Sequence, residues 1–493
     1  MRRAQFLASS AVIFSFIIFV LYGNHILVNV SNRRLMPNTI LFLEAQGQPQ
    51  TDDIGILNGV GREFLPSFKN PCWYEERKNN HELGKVAAYY ISTTKPLLLS
   101  KCHYKRQSDM ILRCLPYFFL IGQPKCATTD VFRRINLHPD VVEPIVKGPH
   151  WWTRKRYGPP YASRPVTFSE YLDVFNAPKI EENTRCDKTL HRWSNEKITG
   201  DGSTSTLWDS SPTMSYLYKI MSSDTQSISG KLFSRWHISH SVFEKTSGYV
   251  GMNTRHDPKS KNVIQNLQEV KYLQYYQYKD EVVLPFTVAN VIHSVLPNSR
   301  IIAVIREPVS RLYSSYLFFT KKTSLSPETF DRNVKDSIQK WQDCTRQYSD
   351  RTCAYNKTLQ NSLGVRLHNG LYSLFLRDWL KVFHKDQILV LRMEDYHQNV
   401  AETIISIYRH LGLRALTEEE EKVVNMAPVL NKNWKKPTIG KMLESTEKIL
   451  KEFYKPYNRD LADLLKDSRY EWEDIYLKSE ELNASHLTAS SYA

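Results

Sequence analysis

A short segment near residue 120 combines residue types that can bind a phosphoryl-type anion. The apolar run 118–121 leads into Gly122-Gln123-Pro124-Lys125-Cys126-Ala127-Thr128-Thr129. This order predicts a strand, a tight turn and the first turn of a helix, where backbone N–H groups, the helix dipole and the Lys125 ammonium would converge. The spacing differs from the Gly-x-x-x-x-Gly-Lys-Ser/Thr loop of nucleotide triphosphatases, so a different phosphate donor is indicated.

A second candidate anion site follows a second apolar strand. Residues 300–305 are predicted as that strand, Arg306 ends it, and Ser314 lies in the second turn of the next helix. The Arg306 guanidinium could hold one phosphate bidentately while the Ser314 hydroxyl donates to it. The alternative is a buried Arg306 paired with Glu307 and a Ser314 on the helix surface. Two anion clamps indicate a donor with phosphates at two ends.

The elements that would position both clamps alternate between strands and helices. Strands are predicted over 117–121, 300–305 and 388–391, with helices beginning at Thr129 and Pro308. This alternation predicts an α/β fold with a parallel central sheet flanked by helices and with sites at the carboxyl ends of the strands. Further on, apolar residues recur at helical spacing between 442 and 465, in a run that Pro456 is predicted to split.

The N-terminal part of the chain predicts a membrane anchor. Residues 6–30 contain no Asp, Glu, Lys or Arg, and a helix of this length would rise about 37 Å, enough to cross a hydrocarbon core of roughly 30 Å. A cleaved signal peptide is the rival interpretation, but no clear small-x-small cleavage site is present. The expected organisation is a cytoplasmic tail 1–5, a signal-anchor 6–30, a stem 31–108, a catalytic domain 109–475 and a C-terminal tail 476–493, with an inserted loop around 221–262.

The length and the net charge of the chain limit the classes of protein to which it can belong. A chain of 493 residues that is 41% hydrophobic can bury one sizeable core. The 66 Lys and Arg against 51 Asp and Glu give a net charge of +15, which suits a polyanionic partner without separating nucleic acid, sulfated glycan and membrane surface. No His/Cys cluster has metal-ligand spacing and no Ser-His-Asp arrangement is evident, so neither a metal nor an acyl-enzyme is expected.

The motifs resemble the carbohydrate sulfotransferases, which use 3′-phosphoadenylyl sulfate (PAPS) as donor. The resemblance is closest to the branch that 6-O-sulfates N-acetylgalactosamine 4-sulfate in chondroitin and dermatan sulfate. It covers about residues 113–465, with an echo at Asn70-Pro71-Cys72-Trp73. It rests on the 122–130 loop, Leu137-His138-Pro139, Pro149–Arg156, Arg306-Glu307-Pro308 and Arg311–Ser314. It implies a sulfotransferase fold with a P-loop-like phosphate loop, a glycosaminoglycan acceptor rather than nucleic acid, and a single-pass type II Golgi protein with a lumenal catalytic domain. Oligomeric state is not indicated.

The resemblance also implies which residues hold the donor. The loop from Gln123 to Thr129 would bind the 5′-phosphosulfate, and Lys125 would steady the departing phosphate oxygen. Arg306 and Ser314 would hold the 3′-phosphate. Near the C-terminus, Gly440 and Lys441 match a glycine-containing donor-binding loop of the family, although a solvated basic loop is an equal alternative there.

An aromatic and basic segment is the candidate acceptor site. Trp151 and Trp152 offer flat faces on which sugars can stack, although Trp pairs also fill cores. The cations that follow, Arg154, Lys155 and Arg156, suit sulfate or carboxylate groups. An acidic glycan therefore fits this segment.

One departure from the family's pattern affects the chemistry. Related chains have Lys-Glu-Pro-His-Trp-Trp, in which the Glu is the presumed general base, whereas this chain has Gly148 at that position. Loss of a general base costs about 10²- to 10⁴-fold in rate. The substitute candidates are His150, whose pKa range is suitable, and Asp201. The alternative functions are a catalytically impaired protein that binds PAPS or sulfated glycan, and a nucleotide kinase, which the missing Walker spacing disfavours.

Cysteines and glycosylation sequons fit a lumenal location. Asn356 and Asn483 lie in Asn-x-Ser/Thr sequons and are expected glycosylation sites. Of seven cysteines, Cys126 in the phosphate loop is the expected free one. Cys344 and Cys353 are close enough in sequence to close a short loop, and the resembling family has a matching disulfide there. The pairing of Cys72, Cys102, Cys114 and Cys186 stays open.

Overall fold

The structure is a computed structural model that describes residues 64–76, 110–187, 192–214, 277–278, 281–282, 287–428 and 439–477. The strands in this part of the chain are β1 (Cys72–Glu76), β2 (Met110–Cys114), β3 (Phe118–Gly122), β4 (Arg185–Asp187), β5 (Arg192–Ser194), β6 (Gly200–Asp201), β7 (Gln277–Tyr278), β8 (Glu281–Val282), β9 (Arg300–Ile305) and β10 (Ile388–Arg392). Most of the regular structure among these residues is helical.

The α-helices are α1 (Thr128–Ile135), α2 (Phe168–Leu172), α3 (Ala177–Glu181), α4 (Val288–Val295), α5 (Pro308–Phe319), α6 (Pro327–Thr345), α7 (Asp350–Tyr355), α8 (Lys357–Ser362), α9 (Tyr372–Val382), α10 (Met393–Gln398), α11 (Val400–His410), α12 (Glu418–Met426) and α13 (Glu444–Leu465). Single 3₁₀ turns lie at Lys155–Tyr157, Asp173–Phe175, Lys322–Ser324, Leu367–Gly370, Lys385–Gln387 and Ser468–Glu471.

A parallel four-stranded sheet forms the centre of the fold, in the order β10-β9-β3-β6. The predicted α/β architecture with helices around a parallel sheet is confirmed. Strands β3 and β9 are direct neighbours, and the backbone N–H of Gln123 donates to the carbonyl of Val304 at 2.7 Å. Because parallel strands end at the same edge of a sheet, the segments that follow β3 and β9 lie side by side.

Helices cover both faces of this sheet. Side chains of a strand alternate between its faces, and Phe119 and Ile121 of β3 pack with α4, α9 and α13. Phe118 and Leu120 pack on the opposite face with α1 and α11. Residues 301–305 of β9 are fully buried and alternate in the same way. Burial on two faces explains why these strands are continuous apolar runs in the sequence.

The folded body begins before the predicted boundary at residue 109. Strand β1 pairs antiparallel with β2, and a disulfide joins Cys72 to Cys114 across this pair. The Trp73 side chain is buried in the larger apolar cluster. The assignment of all of 31–108 to a stem was therefore wrong for residues 64–76, whose strand signal was too short to separate from the surrounding polar sequence.

Two further sequence expectations have clear outcomes. The Cys344–Cys353 disulfide is confirmed and joins the end of α6 to α7, while Cys126 is the free cysteine in the described part of the chain. The expected break at Pro456 was wrong, because α13 continues through it. Pro456 and Glu452 are exposed, so water can reach the carbonyl that loses its hydrogen bond to the missing N–H.

Several expectations concern residues that the structure does not describe. They are the membrane anchor 6–30, the inserted loop around 221–262 and the glycosylation site Asn483. Among the described residues, none of the helices is both long enough and apolar enough to span a bilayer.

The expected glycosylation site Asn356 is also a helix cap. Its side-chain oxygen accepts from the N–H of Leu359 at 3.0 Å, at the start of α8. Asn356→Ala and Thr358→Ala would both remove the sequon, but only the first removes the cap. We expect Asn356→Ala to lower the free energy of unfolding by about 1 kcal/mol relative to Thr358→Ala. Urea unfolding of the two variants checks this, and equal midpoints would contradict it.

Candidate active site

The loop between β3 and α1 turns sharply through two residues in the left-handed region. Lys125 has φ 72° and Ala127 has φ 54°, and α1 begins at the next residue. A non-glycine residue in this conformation costs roughly 1–2 kcal/mol, a cost that glycine at position 127 would avoid. Gly122 is required for packing, since a Cβ there would lie 2.9 Å from Cβ of Leu207.

Only part of this loop faces outward. Gln123 is fully buried and its side-chain amide donates to the carbonyl of Asn369 at 2.6 Å. Cys126 is also fully buried, and burial raises the pKa of its thiol to about 12. The side chains of these two residues therefore anchor the loop, and only their backbone groups remain for a ligand. Pro124 and Thr129 are partly exposed, whereas Thr128 is buried.

Lys125 is the partly exposed cation of the loop. Its ammonium lies 3.8 Å from the ring centroid of Phe318, near the end of α5. A cation over a ring face is held by the ring quadrupole without being neutralised. Lys125 thus lies in the loop between β3 and α1 with its ammonium against a ring at the end of α5.

The second clamp lies at the end of the neighbouring strand. Within the described residues, the Arg306 guanidinium has neither an ion pair nor a hydrogen bond, and the same holds for the Ser314 hydroxyl. Pairing of Arg306 with Glu307 does not occur. Glu307 instead caps α5, accepting from the N–H groups of Val309 at 2.8 Å and Ser310 at 2.7 Å. The arginine side chain is therefore available to a ligand.

The Gly440 segment approaches the helix that bears Ser314. Gly440 has φ 89°, which favours glycine, and its carbonyl accepts from the Tyr313 hydroxyl at 2.9 Å. Lys441 is exposed. This proximity is compatible with a donor-binding role for Gly440 and Lys441, which stays a prediction.

The tryptophan pair does not offer stacking faces. Trp151 and Trp152 are each 1% exposed, and Trp151 stacks on Tyr171 with ring centroids 4.8 Å apart. Arg156 is buried against them, with its guanidinium carbon 5.3 Å from the Trp151 centroid. The expectation that these three residues bind an acceptor was wrong. They pack the core because α2 closes over them, a contact that no local pattern reveals.

The buried tryptophans hold Asp201 in place. The indole N–H of Trp152 donates to the Tyr171 hydroxyl at 2.7 Å, and this hydroxyl donates to Asp201 at 2.9 Å. The other carboxylate oxygen of Asp201 accepts from the N–H of Ser203 at 2.9 Å. Asp201 is 1% exposed, and burial raises its pKa to about 6. Because Asp201 is buried and held by these two hydrogen bonds, it is not exposed to an acceptor hydroxyl, so its assignment as a substitute base is not supported by the geometry.

His150 is oriented from two sides by serines. Its backbone N–H donates to Ser203 Oγ at 2.8 Å, and its Nδ1 lies 2.7 Å from Ser205 Oγ. Among the described residues Nε2 has no hydrogen-bond partner. A Cβ added to Gly148 would lie 3.2 Å from this Nε2. The imidazole therefore borders the position that the family's glutamate side chain would enter.

Burial and nearby cations keep His150 neutral. Desolvation lowers its pKa to about 4, helped by Arg154, Lys155 and Lys147. Lys147 was not singled out from the sequence. Desolvation lowers its pKa to about 8 against the attraction of Asp201. The segment thus has three titratable groups, His150, Asp201 and Lys147, with well-separated pKa values.

Arg154 and Lys155 remain at least partly exposed. The Arg154 Nε donates to the buried carboxylate of Asp209 at 2.6 Å. In the part of the chain that the structure describes, no group of three or more His, Cys, Asp or Glu side chains is arranged to bind a metal. The expectation that no metal is required stays a prediction.

Two parallel strands that end side by side, each followed by a basic residue and a helix, define the arrangement expected of a sulfotransferase. A model of the sulfotransferase domain matches residues 201–455, which is more than half of the chain. The chain therefore belongs to the sulfotransferase family, as its motifs predicted.

Individual relatives match a longer part of the chain, and their name refers to a carbohydrate substrate. Carbohydrate sulfotransferase 15 of Homo sapiens is 32% identical over 443 residues, which are 85% of this chain and 68% of that protein. The protein of the same name from Nototodarus sloanii is 35% identical over 141 residues, 28% of this chain and 89% of that protein. A crystal structure of a sulfotransferase from Alicyclobacillus acidocaldarius aligns with 15% identity and a TM-score of 0.39, over 72% of this chain and 98% of that one. With so low a TM-score and identity, this alignment does not assign a fold or a function.

Proposed function

We propose that this chain transfers sulfate from PAPS to a hydroxyl of a glycosaminoglycan, and specifically to the 6-hydroxyl of N-acetylgalactosamine 4-sulfate. The observation that supports it most is the pair of cations after adjacent strands, Lys125 and Arg306, the latter without an ion pair among the described residues. A donor with phosphates at both ends fits two such clamps. The acceptor is proposed from the motif resemblance and from the names of the relatives.

The two clamps would have different tasks. Sulfuryl transfer, like phosphoryl transfer, depends on in-line positioning and on neutralising charge on the moving and leaving groups. PAPS, when bound, supplies the sulfuryl group and a phosphate leaving group. Lys125 would neutralise the leaving phosphate, aided by the backbone N–H groups at the start of α1. Arg306 and Ser314 would hold the 3′-phosphate and thereby fix the register of the donor.

His150 is the proposed general base. Nδ1 is engaged by Ser205, so Nε2 is the nitrogen left to take the proton of an acceptor hydroxyl. The side chain is unprotonated at neutral pH because its pKa is near 4. A base of such low pKa is weak, so transfer is expected to be slow.

The cellular setting is part of the proposal. We infer a single-pass type II Golgi protein anchored by residues 6–30, with Asn356 and Asn483 glycosylated. The Cys72–Cys114 and Cys344–Cys353 disulfides support an oxidising compartment.

An impaired PAPS- or glycan-binding protein is the second candidate, and Gly148 is the observation that favours it. The test is incubation of the purified protein with sulfur-labelled PAPS and a panel of chondroitin and dermatan sulfates, followed by disaccharide analysis. Label at the 6-position of 4-sulfated N-acetylgalactosamine is the expected result. Tight PAPS binding without transfer to any acceptor would favour the binding protein instead.

The pH dependence of kcat/KM distinguishes the candidate bases, because it reports the pKa of the free enzyme's base. A base must be unprotonated, so activity is present above its pKa. With His150 as base, kcat/KM is expected to be flat from pH 8 down to about 5 and to fall only toward pH 4. A fall through about pH 6 would point to Asp201, and a rise through about pH 8 to Lys147.

A further inference from the structure

A group of cations gathers around one buried carboxylate beside the proposed active site. Asp209 is fully buried, its Oδ2 lies 2.6 Å from Arg154 Nε, and its Oδ1 lies 3.9 Å from Lys357 Nζ. The Tyr161 ring is between these cations, with its centroid 5.8 Å from each cationic group. Arg154 and Lys357 are about one-third exposed, at 29% and 34%. Both therefore reach solvent while sharing one carboxylate.

Arg366 adds a third positive charge to this group. Within the described residues its guanidinium has neither an ion pair nor a hydrogen bond, and it lies 3.6 Å above the Phe319 ring centroid. Desolvation lowers the pKa of Arg366 to about 10, aided by Arg154 and Arg311. Desolvation, Arg154 and Arg366 also lower the pKa of Lys357. Arg154 and Lys357 share one carboxylate, and Arg366 repels both of them, which leaves an excess of positive charge that an anion would relieve.

Exposed aromatic rings connect this cluster with the donor loop. Phe318 and Phe319, at the end of α5, are 56% and 48% exposed and contact each other edge to face at 4.9 Å. Lys125 lies over Phe318, and Arg366 lies over Phe319. The contact series Lys125, Phe318, Phe319, Arg366 places the cation cluster next to the group proposed to hold the reacting end of the donor.

We propose that Arg154, Lys357 and Arg366 form a second anion site that binds an anionic substituent already present on the acceptor glycan. This inference rests on the proposed function and extends it. The ligand is a sulfate ester or a uronate carboxylate, since either accepts charge-assisted hydrogen bonds from guanidinium and ammonium groups. The site would orient an acceptor sugar beside Lys125 without contacting the donor.

The test measures binding of chondroitin 4-sulfate oligosaccharides in the presence of adenosine 3′,5′-bisphosphate, which occupies the donor site without allowing turnover. Lys357→Gln and Arg366→Gln are each expected to weaken binding about tenfold, the value of one partly exposed charge-assisted hydrogen bond. Lys335→Gln, at an exposed lysine of α6 paired with Asp331, is the matched control and is expected to bind as the wild type does.

Two chemically altered ligands identify the anionic group. If the variants lose affinity for the sulfated oligosaccharide but match the wild type on a desulfated one, the site binds the sulfate ester. If the variants have wild-type affinity only for a carboxyl-reduced oligosaccharide, the site binds the uronate carboxylate. Wild-type affinity of both variants for the unaltered oligosaccharide, or no binding of it by the wild type, would overturn the proposal.

Folding and activity are controlled separately. Affinity for adenosine 3′,5′-bisphosphate is expected to be unchanged in all variants, and Arg366→Lys is expected to restore most of the oligosaccharide affinity because it keeps the charge. A charge-retaining variant as weak as Arg366→Gln would contradict the proposal. Because binding is measured without turnover, failure of sulfate transfer by the wild type would count against the proposed function and leave this result standing.

Discussion

Lys125→Ala is expected to lower kcat for sulfate transfer by about 10²- to 10³-fold, the usual cost of removing one group that stabilises developing negative charge. The ammonium lies at the end of β3 beside the start of α1, where the leaving phosphate would be held. The measurement is steady-state kinetics with labelled PAPS. Lys335→Ala, which removes an exposed lysine far along the chain on α6, is the control and should behave as wild type.

In the same assay, Arg306→Ala distinguishes the role of the second clamp from that of Lys125. Removing a hydrogen-bonded charge pair costs about 1.5–3 kcal/mol, so the KM for PAPS should rise about 10- to 100-fold with a smaller change in kcat. Arg346→Ala removes an exposed arginine of similar size and serves as its control. An unchanged PAPS affinity in Arg306→Ala together with an unchanged kcat in Lys125→Ala would refute the donor-site assignment.

His150→Asn is expected to reduce kcat by about 10²-fold or more, as loss of a general base does. Asparagine suits this position because His150 has φ 51°, a conformation that asparagine tolerates better than most residues. Its side chain can also keep a hydrogen bond to Ser205. The fold should therefore survive while the basic nitrogen is lost, and an unchanged rate would exclude His150 as the base.

The family's base can be restored in that background. Gly148→Glu alone is expected to gain little, because the new side chain would start 3.2 Å from the His150 imidazole and 3.4 Å from the carbonyl of Gly202. In the double variant Gly148→Glu/His150→Asn, the shorter asparagine side chain leaves more room for the new carboxylate. Its kcat should be at least tenfold higher than that of His150→Asn alone. Failure of the double variant, with PAPS affinity intact, would show that position 148 does not face the acceptor hydroxyl.

Local sequence patterns were sufficient to predict the strands on the proposed donor side of the site. Strands β3 and β9 are buried on both faces, so each is an apolar run; Arg306 directly follows β9, and Lys125 lies in the short loop after β3. The strand, the turn and the helix that follows are consecutive in sequence. The type and order of residues therefore predicted the fold class, and the assignment of the two clamps stays a prediction.

The acceptor side depends on contacts between distant residues, and here prediction failed. Trp151 and Trp152 were predicted to stack on a sugar, but Tyr171 of α2 packs against both rings. Asp201 was a candidate base, but it is buried, and Tyr171 and Ser203 hydrogen-bond to its two oxygens. Conversely, Lys357 and Arg366 gave no signal, because the carboxylate and aromatic groups beside them come from other parts of the chain. Burial and long-range pairing are set by packing, which single-sequence patterns do not encode.

The disulfide between β1 and β2 decides where a secreted version of this enzyme can start. A truncation beginning at residue 109 would leave Cys114 as a lone thiol and open a gap where the Trp73 indole packs. Losing such a bond costs about 2–5 kcal/mol in small secreted domains, and the new thiol could cross-link pairs of molecules. A start before residue 64 avoids both faults. Nicking between 77 and 109 would go unnoticed on a non-reducing gel, because the two fragments stay covalently joined.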